Sequence, residues 1–127
     1  MMSKTILICD DEMPIRRTAE FKLSRGGYTV ISAGDGEEAW EKIQETIPDL
    51  LITDCQMPRL DGLGLIRRIR QDERTESLPV FMLTGKGFEL LQENIDEQLN
   101  IQKIITKPFS PAGLKNIVDE MFETSCC

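Results

Sequence analysis

The chain has 127 residues, 40% hydrophobic and 29% charged, with a formal net charge of -7. That length suits one domain able to bury its own core, and the acidic balance speaks against nucleic acid or an anionic membrane surface as a direct partner. No apolar run approaches the roughly 18 residues of a membrane span, and Met1–Lys4 lacks the basic start and cleavage pattern of a signal peptide, so a cytoplasmic protein with no membrane insertion is expected.

The apolar run Thr5–Cys9 predicts a first strand. Pro14 suits the first turn of a helix that carries Ile15, Ala19 and Leu23 and stops at Gly26-Gly27. Tyr28–Ile31 predicts a second strand, followed by a helix with Trp40, Ile43 and Ile47 on one side and Glu37, Glu38, Glu41 and Lys42 toward solvent. Leu50–Thr53 is a third strand, and Leu65, Ile66 and Ile69 mark the helix after it. Val80–Leu83 is a fourth, with a helix through Phe88, Leu91, Ile95 and Leu99. Ile104–Thr106 is a fifth, leading to a helix with Leu114, Ile117, Val118 and Met121, spaced for one apolar face. That helix is expected to reach about Phe122 and leave a short tail at about 123–127.

The strand runs are short and do not alternate, as in parallel strands covered on both faces. Five β-α repeats therefore predict an α/β fold with helices on both sides of a parallel sheet, in one domain over residues 1–127. The helical apolar stripes read as core faces.

Histidine is absent, which removes Ser-His-Asp and Cys-His chemistry. The four cysteines, Cys9, Cys55, Cys126 and Cys127, form no C-x-x-C pair, so no zinc site is expected. Cys9 reads as a small core residue, and Cys126 and Cys127 as a reduced tail. A terminal cysteine pair can be a lipidation signal, but no polybasic tract precedes it.

Ligands of open α/β sheets bind beyond the carboxyl ends of the strands. The first strand delivers Asp10-Asp11-Glu12 there, the third Asp54, the fourth Thr84 and the fifth Lys107. Carboxylates converging on one edge repel unless a cation joins them, and hard oxygen donors beside water suit Mg²⁺. The acids of the triplet could also simply favour the start of the following helix. A carboxylate such as Asp54 can attack phosphorus if charge on the phosphoryl oxygens is neutralised. A metal does part of this, Lys107 can add a cation, and the Thr84 hydroxyl with backbone N–H groups can donate hydrogen bonds. Pro108 after Lys107 ends the strand; statistics favour a trans bond, while a cis bond would fix the turn that aims the lysine.

The chain resembles the receiver domains of two-component response regulators. Asp10-Asp11 resembles their acidic pair, and Asp54-Cys55-Gln56-Met57-Pro58 with Asp61-Gly62 their phosphoacceptor loop. Leu83-Thr84-Gly85-Lys86 resembles the switch-threonine segment, and Thr106-Lys107-Pro108-Phe109 the lysine–proline turn. The resemblance implies a flavodoxin-like (CheY-like) three-layer α/β/α sandwich with strand order 2-1-3-4-5 and five helices. It implies that Asp54 accepts phosphate from a sensor histidine kinase or His phosphotransfer protein. Mg²⁺ is then held by Asp11, Asp54, the Gln56 carbonyl and, through water, Asp10. Thr84 turns in to the phosphate, Lys107 pairs with it, and a protein-binding surface on the fourth helix, fifth strand and fifth helix changes. Gln56 and Lys86 are expected to flank the phosphoryl group and set its lifetime, with Cys55 a bystander.

The implied protein is a signalling module, a monomer or weak dimer acting on a downstream protein, alone or as part of a longer regulator. It is not an enzyme beyond its own phosphorylation and dephosphorylation. Two departures stand out: Ile104 occupies the place of a switch aromatic, and Glu97–Gln102 lacks the usual Gly-Ala pair. An aspartate-nucleophile phosphatase of the HAD type would need an acid where Gln56 stands. A phosphorylation-independent pseudo-receiver would have lost site residues that are all present.

Overall fold

The computed structural model describes residues 3–57, 59–85 and 95–125. Five strands, β1 (Thr5–Cys9), β2 (Thr29–Ala33), β3 (Leu50–Asp54), β4 (Val80–Thr84) and β5 (Lys103–Thr106), form one sheet in the order β2-β1-β3-β4-β5. Every pairing is parallel. Among the described residues the helices are α1 (Met13–Arg25), α2 (Gly36–Glu45), α3 (Gly62–Gln71), the single turn α4 (Ile95–Gln98) and α5 (Pro111–Ser125). Phe88 and Leu91 of the expected fourth helix, together with Lys86, Pro58, Cys126 and Cys127, lie outside the described residues.

Alternate residues of each central strand serve opposite faces, because successive side chains point to opposite sides of the pleat. Leu7, Cys9, Leu51, Val80 and Met82 pack with Ala39 and Ile43 of α2 and Leu65, Ile66 and Ile69 of α3. Ile6, Ile8, Leu50, Ile52, Phe81 and Leu83 pack with Ala19 and Leu23 of α1 and Leu114 and Val118 of α5. The sheet is thus the middle layer of three. Truncating one of these buried Leu or Ile side chains to Ala costs about 2–5 kcal/mol.

Local signals set the elements. Asp35 caps α2 by accepting from Glu38 N, and Asp61 caps α3 by accepting from Gly64 N. Pro14 sits in the first turn of α1, and Gly27 turns the chain at φ 100 before β2. Tyr28 then ties the entry of β2 to α5 by donating its hydroxyl to Asp119.

Several boundaries differ from expectation. β2 runs to Ala33 because Ser32 and Ala33 keep pairing with Ile8 and Cys9, a backbone register that needs no apolar side chain. β3 and β4 include Asp54 and Thr84 themselves, so both are held in the ladder. β5 begins at Lys103, opposite Phe81. α5 continues to Ser125, so the tail expected at about 123–127 is helical in its first three residues; no Gly or Pro interrupts Glu123-Thr124-Ser125. The Lys107–Pro108 bond is cis, against the statistical expectation, which averages over X-Pro bonds in every context.

Candidate functional site

Asp10 is the first residue after β1. Its N–H donates to the Ala33 carbonyl at 3.1 Å, which carries the pairing with β2 one residue past the strand. Its side chain is fully buried, and Oδ1 accepts from Glu12 N at 2.9 Å. Oδ2 is buried without a hydrogen-bond partner, although Lys107 Nζ stands 3.0 Å away. The approach is that of an ion pair and lacks hydrogen-bond geometry.

Asp54 ends β3, only 6% exposed. Gly62 lies so close that a Cβ on it would stand 2.1 Å from the Asp54 carbonyl oxygen. Gly62 N also donates to the Cys55 carbonyl, folding the loop back onto α3. Thr84 ends β4, buried, and its carbonyl accepts from Lys107 N at 2.9 Å, so the backbone joins the threonine to the lysine.

Lys107 is the centre of the charge arrangement. Its Nζ is 3.0 Å from Asp10 Oδ2, 3.2 Å from Asp54 Oδ2 and 3.4 Å from Glu12 Oε1. Burial pulls the Lys107 ammonium down, but pairing with Asp10 and Asp54 outweighs it and holds the group above its usual range. Burial raises the Asp54 carboxyl, the nearby Asp10 charge raises it further, and Lys107 offsets only part of this.

The oxygens of Asp10, Glu12 and Asp54 lie within 4.8 Å of one another. Three carboxylates face one ammonium, and a buried carboxylate oxygen lacks a donor. This donor set fits a hard divalent cation. Beside it opens a hollow of about 520 Å³ lined by Asp11, Glu12, Asp54, Gln56, Met57, Gly85 and Lys107.

Asp10, Asp11, Asp54, Gln56 and Lys107 are brought to one rim, with differences in detail. Asp11 is exposed and lines the hollow outside the tight carboxylate group; Glu12, and not Asp11, is the third carboxylate beside Lys107, at 3.4 Å. Gly85, and not the buried Thr84, faces the hollow. Gln56 lines it, and Cys55 is half-buried beside the core under α2 and α3. Cys9 is a core residue as expected, its thiol pushed up to about 12 chiefly by burial. Ile104 packs half-buried against the α2–α3 side of the sheet.

Two contributors were not foreseen. Gly62 appeared only as part of a motif; its close approach to Asp54 is invisible without coordinates. Arg16 donates from Nη1 to the Asp10 carbonyl at 2.9 Å. A weak signal existed for it: helical side chains lean toward the N-terminus, so a long residue in the first turns of α1 reaches back to the strand end.

The fold and this rim define an α/β domain with an acidic, lysine-paired hollow at the carboxyl ends of its parallel strands. The response regulator receiver domain family model matches residues 6–119, and the chain belongs to that family. It is 40% identical over 110 residues to the alkaline phosphatase synthesis transcriptional regulatory protein PhoP of Bacillus subtilis, covering 87% of this chain and 45% of that protein. It is 40% identical over 116 residues to the phosphate regulon transcriptional regulatory protein PhoB of Pseudomonas aeruginosa, covering 90% of this chain and 49% of that one. The chain thus spans about half the length of these relatives. Among solved structures, chemotaxis response regulator CheY4 of Vibrio cholerae superposes with TM-score 0.86 at 27% identity, over 94% of this chain and 98% of that one. Among the described residues, no helix is long and apolar enough to cross a membrane.

Proposed function

We propose that Asp54 accepts a phosphoryl group from a phosphohistidine on a sensor histidine kinase or His phosphotransfer protein, and that the product switches a protein-binding surface. The observation that carries this reading is the Lys107 ammonium held between Asp10 and Asp54 at a buried rim open to one hollow. A carboxylate oxygen of Asp54 forms the new O–P bond as the N–P bond of the donor breaks, the electron pair leaving with the imidazole. Lys107, 3.2 Å from the carboxylate, attracts the incoming phosphoryl oxygens and remains as counter-ion of the product. The Thr84 hydroxyl is the donor assigned to the phosphoryl group, and its loop is the two-state element. Gln56, which lines the hollow, is the residue assigned to orient attacking water, and Lys86 is the second residue proposed to set the lifetime.

Asp10, Asp11, Asp54 and the Gln56 carbonyl are the residues that would hold Mg²⁺, with Glu12 adjoining. When bound, the ion neutralises charge on the phosphoryl oxygens. The receiver itself, at -7, is proposed to act in the cytoplasm on protein partners as a monomer or weak dimer. It catalyses only its own phosphorylation and dephosphorylation. The names of the two relatives state transcriptional regulation, the process a longer form of this chain would serve.

Incubation with acetyl phosphate and Mg²⁺, followed by intact-mass measurement, tests the reading. The wild type should gain one phosphoryl group, and Asp54→Asn or added chelator should abolish the gain. An unlabelled wild type would favour a pseudo-receiver and remove the proposal.

A further inference from the structure

The Asp10 backbone is fastened on both sides, and each fastening comes from a different element. Its N–H donates to Ala33 of β2, and its carbonyl accepts from Arg16 of α1. The carbonyl lies one residue beyond β1, where the ladder no longer supplies a donor by itself, so the guanidinium satisfies a group that would otherwise lack a partner beside a buried acid. Arg16 makes this contact through space that Gly34 leaves open. A Cβ on Gly34 would stand 2.9 Å from Arg16 Nη1, and Gly34 N is itself held by Glu38 at 2.9 Å.

We infer that Arg16, seated against Gly34, is a positioning residue for Asp10, fixing its carboxylate for the cation that the acidic hollow takes. The inference rests on the proposed reading of that hollow. Arg16 touches neither the hollow nor the Asp54 carboxylate among the described contacts; it acts through the Asp10 peptide. Partners that orient a ligand from behind commonly govern metal affinity by tenfold or more.

Two independent substitutions disturb the same contact. Arg16→Ala removes the donor. Gly34→Ala keeps the donor but places a methyl where Nη1 now lies, and the obstructed atom is the far end of a flexible side chain, so the fold has an inexpensive way to yield. Mg²⁺ affinity is measured calorimetrically on the full chain, with urea unfolding in metal-free buffer alongside. Arg16→Ala should weaken Mg²⁺ binding about tenfold. Gly34→Ala should weaken it in the same direction by a smaller factor. Arg16→Lys, which keeps one charged donor, should recover most of the loss, and Arg17→Ala, on the exposed side of α1, should match the wild type. Unaltered affinity in both Arg16→Ala and Gly34→Ala overturns the inference, as does an equal loss in Arg17→Ala. Absence of Mg²⁺ binding by the wild type overturns the reading of the hollow itself, a separable result.

Discussion

Glycine 62 sits behind the proposed nucleophile, and its constraint is one of bulk. A methyl there would stand 2.1 Å from the Asp54 carbonyl oxygen and 3.0 Å from Cys55 Cα, both backbone atoms that cannot swing aside. Gly62→Ala should therefore destabilise the fold by about 1–3 kcal/mol, the usual cost of overpacking, and slow labelling of Asp54 by acetyl phosphate. Gly64, two residues on, is the internal control. A methyl there meets the Leu60 Cδ1 side-chain atom at 2.8 Å, which can move, and the helix gains from losing a glycine. Gly64→Ala should be close to neutral in urea unfolding. Equal midpoints for the two variants would show that the Gly62 contact constrains nothing.

Between elements, one side chain joins several backbone segments at once. Arg70, at the end of α3, donates to the carbonyls of Leu99, Asn100, Leu78 and Glu76. It thereby ties α3 to the turn after α4, where Asn100 takes φ 53, and to the approach of β4. No carboxylate pairs with it among the described residues, and burial lowers its guanidinium from the usual range. Arg70→Ala should cost about 2–3 kcal/mol in urea unfolding, since charged hydrogen bonds to two partly buried carbonyls, Leu99 and Leu78, and two exposed ones are lost together. Arg70→Lys should recover only part, because one ammonium cannot span four acceptors. A loss under about 0.5 kcal/mol, the range of an ordinary surface substitution, would remove this role. Nothing in the spacing of Arg70 announces it, whereas the five strands were legible as short apolar runs followed by chemistry-bearing residues. The same limit explains Glu12. Asp11 and Glu12 are adjacent acids with identical local signals, and only the path of the chain into α1 decides which carboxylate meets Lys107. Strand ends are legible because apolar patterning stops there; contacts made by long polar side chains across elements leave no period to read.

The site as a whole sets affinity for a cation against stability of the fold. Asp54 is raised by burial and by Asp10, so its ionised form is disfavoured in the folded chain. By linkage, that cost is present at pH values above the ordinary carboxylate range and is relieved as pH falls into it. Asp54→Asn removes the charge at nearly constant shape and leaves Lys107 paired with Asp10 and Glu12. In metal-free buffer at neutral pH the variant should therefore unfold at higher urea than the wild type, and the gap should close on acidification. Mg²⁺ should act oppositely on the pair. A ligand at tenfold its Kd adds about 1.4 kcal/mol to a fold that binds it, so the wild-type unfolding free energy should rise by that amount and that of the Asn variant by less. A variant less stable than the wild type without metal, together with a wild type indifferent to Mg²⁺, would mean that the three acids are held by Lys107 alone and that the rim is a closed ion-pair cluster with no vacancy for a cation.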